Sequence, residues 1–164
     1  QPHLVQVFEV GTATMMSAKG AVYPVEQMMA DSGEPFDGSA YLPAVVSYYQ
    51  TPEGQLLSMP FNSSTPVLWY NADALKAAGA SVPTTWDEVE TAAKALVANG
   101  MDCGYSFGWQ SWVMIENYSA WHDIAIGTKE NGFTGFDTEF TFNNDHVANR
   151  LQAIADSQKD KLFK

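Results

Sequence analysis

Between Pro60 and Pro66 the chain reads Phe61-Asn62-Ser63-Ser64-Thr65, and immediately after comes Val67-Leu68-Trp69-Tyr70, closed by Asn71. Proline fixes φ and has no N–H to donate, so Asn62 to Thr65 is predicted as a shaped loop. Val67 to Tyr70 is short, apolar and aromatic, which predicts a buried strand. A polar loop feeding a buried strand is held still by it, a common arrangement for ligand contact. Ser64 is a candidate, because its hydroxyl both donates and accepts, as a phosphate or polyol site requires. A loop serine can equally serve only the turn.

Charge narrows the partners. The 164 residues carry a formal net charge of −11, with 8 basic residues and a sole arginine, Arg150. Nucleic acid and anionic membrane surfaces both recruit basic side chains, so neither is an expected partner. No apolar run approaches the roughly 20 residues of a membrane helix. Cys103 stands alone and is expected as a small buried apolar group, since free cysteine usually is. His3, His122 and His146 are scattered, and none is paired with Cys103 at zinc spacing. The pairs Met15-Met16 and Met28-Met29 fit core filling better than a soft-metal site. Asp31 and Asp37 lack calcium-loop spacing. Asn131 to Phe136 is glycine-punctuated but is no nucleotide loop. No metal and no cofactor is expected.

Taken in order, Leu4 to Val10 is predicted as a strand buried on both faces, followed by a helix over Ala13 to Lys19. Glu9 then lies near the carboxyl end of a strand, where open α/β sheets place ligand crevices. As a carboxylate it could equally cap the next helix. Helices are predicted over Tyr23 to Ala30 and Ala40 to Tyr49, then a turn at Thr51-Pro52-Glu53-Gly54 and a strand over Leu56 to Met59. Ala72 to Ala78 is predicted helical, stopping at Gly79. Thr85-Trp86-Asp87-Glu88 has the spacing of a capping box, opening a helix that buries Val89, Ala92, Ala93 and Leu96 and ends at Asn99-Gly100. A strand is predicted over Asp102 to Phe107. A helix from Trp109 through Trp112 to Trp121 follows, with Trp109 and Trp112 on one face. The two rings suit core packing or a platform for the C–H face of a polyol. His122 is expected at that helix's C-terminus. Thr138 to Phe142 alternates like an edge strand, and Asn144 is placed to cap a last helix with Val147, Leu151, Ile154 and Ala155 inward.

The stretch Pro60 to Asn71, followed by Ala74 and Gly79, resembles the first interlobe crossover of the family 1 extracellular solute-binding proteins of ABC importers. Val5-Gln6-Val7-Phe8-Glu9-Val10-Gly11-Thr12-Ala13-Thr14-Met15-Met16 is similar to the glycerol-3-phosphate-binding branch of that family, as is Asn99-Gly100-Met101-Asp102-Cys103-Gly104-Tyr105 with Gly108-Trp109-Gln110 and Glu116-Asn117. The resemblance implies an α/β, periplasmic-binding-protein-like fold of type II in partial two-lobed form. Residues 1–66 would belong to lobe I, and 67–164 to the crossover strand and lobe II. It also implies that the chain is an internal piece of a longer one.

The implied function is the substrate-binding component of an ABC importer, periplasmic, or extracytoplasmic and lipid-anchored in a Gram-positive source. It would hand glycerol 3-phosphate, with glycerophosphodiesters as a wider class, to the permease subunits. By the same resemblance Glu9 and Ser64 contact the ligand, and Trp109 and Trp112 form the platform. The phosphate groove of the family needs an Arg, and Arg150 matches none of its ligand motifs. An oligosaccharide-binding member of the same family is the alternative. A glycoside or phosphodiester hydrolase using Glu9 and Asp123 is disfavoured, because no nucleophile motif accompanies them. Strands without neighbours leave open edges, so self-association is expected.

Overall fold

The computed structural model describes residues 2–18, 20–108 and 110–164. They form two compact units, Gln1–Thr65 with Lys129–Thr138, and Pro66–Thr128 with Glu139–Lys164.

The first unit carries helices Thr12–Ser17, Val25–Ser32 and Pro43–Tyr48. Pro43 opens its helix, where the missing N–H costs nothing. The Thr51-to-Gly54 turn closes as predicted, Gly54 N–H to Thr51 O at 2.8 Å, with Gly54 at φ 86°, a value that favours glycine. It folds Leu56 back on Gln50 in an antiparallel bridge. Leu56 and Leu57 are thereby buried and receive the start of the Val25–Ser32 helix: Val25 N–H reaches Leu57 O at 3.2 Å, and the Glu26 carboxylate accepts from Leu56 N–H at 3.0 Å. Phe133 stands edge-on to Tyr48 at 5.7 Å, which ties the later segment to this unit.

In the second unit the helices are Ala72–Ala77, Trp86–Ala98, Asn117–Trp121 and Asp145–Lys159. Their starts follow the cap residues. The Asn71 side chain accepts from Ala74 N–H at 2.9 Å, Asn144 from Val147 N–H at 3.0 Å, and Thr85 and Glu88 form the reciprocal box. Cap contacts are local, so sequence alone can place them. Ala92, Ala93, Val147, Ile154, Leu162 and Phe163 make the core, with Phe163 only 2% exposed against Tyr105 and Phe107. Gly104 and Tyr105 both donate to Leu162 O, at 2.8 and 2.9 Å, which fastens the chain's end over the core.

Several expectations give way. No strand of more than a single bridge forms among the described residues; bridges fall at Leu56, Tyr105–Phe163 and Gly127–Phe140. Leu4 to Val10 is not a buried strand, Leu4 being 86% exposed, and Glu9 sits in a single 3-10 turn. Val67 to Tyr70 is also outside any strand, with Trp69 90% exposed. The apolar pattern supplies half of a strand; the other half is a neighbour to accept its hydrogen bonds, and no described segment pairs with these two. In the last helix Arg150 and Ser157 face inward in place of Leu151 and Ala155, completing a stripe with Val147 and Ile154. Cys103 is half-buried, not fully enclosed.

Candidate functional site

Glu9 is set by a tight local fold. Gly11 N–H returns to Phe8 O at 2.8 Å, and a β-carbon on Gly11 would stand 2.7 Å from Val7 Cγ1, so a larger residue there would make the Val7 side chain shift. The Tyr48 hydroxyl donates to Glu9 O at 3.0 Å and pins the turn to the Pro43–Tyr48 helix. Glu9 lies on the wall of an open cavity of about 960 Å³ within the first unit, shared with Tyr23, Tyr49, Met59, Phe61 and Asn62. Half-buried, its carboxylate accepts no hydrogen bond from the described residues. Burial first, and the Glu9 charge second, push the Tyr49 phenol up, so it stays protonated and able to donate. Apolar walls with a few polar groups suit a small polyol.

The proline-bracketed loop reaches this wall through Asn62. Ser64 is exposed, off the wall, and makes no side-chain hydrogen bond among the described residues. Trp109 lies outside the described residues. Trp112, half-buried in the second unit, opens a π-type turn, Trp112–Glu116, in which Asn117 closes back on Trp112 O by its N–H and by its side-chain amide at 2.8 Å. Such single turns recur at functional positions. His122 does end the helix, its ring nitrogen 2.7 Å from Tyr118 O.

Tyr49 and Asn62 escaped the sequence reading. Their signal was a polar aromatic at a helix end and an amide inside the bracketed loop, neither with a distinctive pattern. A second feature also escaped it. Arg150 lies over Trp86, its guanidinium carbon 3.8 Å from the ring centroid, with Tyr118 at 4.7 Å and Phe107 at 5.8 Å. Burial pushes this guanidinium down, against a smaller upward pull from Tyr105 and Tyr118. Among the described residues no three His, Cys, Asp or Glu side chains gather to hold a metal, and no helix is long and apolar enough to cross a membrane.

The sequence model of the family described as bacterial extracellular solute-binding protein matches residues 1–163, and the chain belongs to that family, whose fold is periplasmic-binding-protein-like. Within it, the chain is 43% identical to the sn-glycerol-3-phosphate-binding periplasmic protein UgpB of Brucella abortus (strain 2308) over 167 residues, covering 99% of this chain and 39% of the relative. The protein of the same name from Rhizobium meliloti (strain 1021) is 43% identical with the same coverage. That of Pectobacterium atrosepticum is 47% identical over 166 residues, 99% of this chain and 37% of the relative. The chain thus spans about two-fifths of the length of the curated relatives it matches.

Proposed function

We propose that this chain is part of the substrate-binding component of an ABC importer, which captures sn-glycerol 3-phosphate outside the cytoplasm and delivers it to the permease without chemical change. The observation that carries the reading is identity of 43–47% across 99% of the chain with proteins of that name. Glu9 supports it: an ionised carboxylate only accepts, and the glycerol hydroxyls donate. In this reading Glu9 and Tyr49 engage the hydroxyls, Ser64 joins them, and Trp109 and Trp112 supply an apolar wall. The architecture is α/β of type II, with residues 1–66 in lobe I and 67–164 in the crossover strand and lobe II. Its sheets complete when Leu4 to Val10 and Val67 to Tyr70 find partner strands elsewhere in a chain of the relatives' length. Closure of the lobes then traps the ligand.

Native mass spectrometry and calorimetry on the protein as the cell makes it test this, with glycerol 3-phosphate as ligand and glycerol as control. A one-to-one, phosphate-dependent complex is expected, weakened about tenfold by Glu9→Gln, since a charge-assisted acceptor is replaced by a neutral one. A protein that ignores glycerol 3-phosphate and binds maltooligosaccharides would overturn the reading.

A further inference from the structure

The pattern of residues predicts a regular helix through Trp112 to Trp121, yet the chain makes a π turn over Trp112–Glu116 before the Asn117–Trp121 helix begins. One residue closes that turn. The Asn117 backbone N–H and the Asn117 side-chain amide, the latter at 2.8 Å, both donate to Trp112 O. A carbonyl oxygen has two lone pairs, and here the same partner takes both.

A regular α-helix would send the Asn117 N–H to Val113 O, four residues back. The wider turn is rare and comes in short pieces, often at functional sites. Asparagine is a poor residue for a helix interior because its amide competes for backbone groups. In this helix the competition is visible: the amide adds a second bond to the carbonyl five residues back, and that bond favours the wide turn over the regular one.

The consequence falls on Trp112. Seven residues of regular helix make about two turns, which would put Trp112 on one face with Ser119. Ser119 is only 1% exposed. The π turn holds one residue more, so Trp112 leaves the register of Ser119 for that of the exposed Ala120. Trp112 is accordingly half-buried.

We propose that Asn117 is a positioning residue for ligand binding: by closing the π turn on Trp112 O it keeps the indole off the buried face of the helix, where it can serve as an apolar wall for the ligand. The proposal rests on the reading above that Trp112 contacts glycerol 3-phosphate. Asn117 acts through Trp112 and needs no contact of its own with the ligand.

A double-mutant cycle on the protein as the cell makes it tests this, with glycerol 3-phosphate as ligand, calorimetry for affinity and circular dichroism to establish that each variant is folded. Trp112→Ala is expected to weaken binding severalfold. Asn117→Ala is expected to weaken it severalfold in the wild-type background and to have no effect once Trp112 is replaced, because residues that act through one another are not additive. Asn117→Asp keeps the shape but turns an acceptor toward the Trp112 carbonyl; it is expected to reproduce the loss and serves where the alanine variant does not fold. Equal losses in both backgrounds overturn the proposal, since Asn117 would then serve only the stability of the second unit. A Trp112→Ala loss with none from either Asn117 variant overturns the positioning role and leaves the wall standing. Wild-type affinity in Trp112→Ala overturns both.

Discussion

Gly104 shows how much one missing β-carbon can decide. A Cβ built there would overlap Ala93 Cα and Cβ and press on its carbonyl oxygen, and these are backbone and near-backbone atoms with no rotamer to escape into. The close approach lets Gly104 and Tyr105 reach Leu162 O, which in turn seats Phe163 in the core. Gly104→Ala is therefore expected to destabilise the second unit by about 1–3 kcal/mol, the range for forced overpacking, read as a lower denaturant midpoint. In the sequence this glycine lay inside the predicted Asp102 to Phe107 strand with nothing to show its steric role, because steric need at one Cα depends on which helix arrives opposite. Glu9 differs. Its candidacy was legible from residue type and motif, but its setting in a 3-10 turn against Tyr48 was not, since a contact 39 residues distant leaves no local mark.

Among the elements, the helices were the legible part, because their caps are written within four residues. Glu88 binds Thr84 N–H at 2.6 Å and the Thr84 hydroxyl at 2.8 Å as well as Thr85 N–H at 3.2 Å, and these bonds hold its carboxyl below the ordinary glutamate range. A carboxyl whose folded pKa is depressed adds stability that is complete above its unfolded value. That stability is lost as pH falls through the folded one. The expected outcome is that Thr85→Ala lowers stability by about 1 kcal/mol at neutral pH, measured by chemical denaturation. For Thr84→Val, which removes the hydroxyl that donates to the Glu88 carboxylate, the difference from wild type should narrow once Glu88 is protonated in acid. The strands were not legible in the same way. Leu4 to Val10 and Val67 to Tyr70 have strand composition, yet pairing is a property of two segments. Where a partner did arrive, at Leu56, Tyr105 and Phe140, a bridge formed inside the predicted stretch. The last helix was mis-faced for a related reason. A lone arginine reads as a surface residue until Trp86, Tyr118 and Phe107 are seen to wrap it.

At the scale of the whole molecule, each unit leaves an apolar segment uncovered: Leu4, Val5, Phe8 and Val10 in one, Val67 to Tyr70 in the other. Segments of strand composition left without a partner and rich in exposed apolar side chains invite strand exchange between copies. The isolated 164-residue chain is expected to show a concentration-dependent rise in mass by light scattering; a uniform monomer at high concentration would refute this. The net charge of −11 opposes such pairing, so added salt should promote it by screening. The aromatic enclosure of Arg150 bears on handling. Within these 164 residues it places the single peptide bond that an arginine-specific protease could cut inside the Asp145–Lys159 helix, with the side chain that the enzyme must grip packed over Trp86. Such an enzyme can cleave at Arg150 only in molecules whose second unit has opened, and where reclosing outpaces cutting, the rate of that cleavage measures the fraction opened.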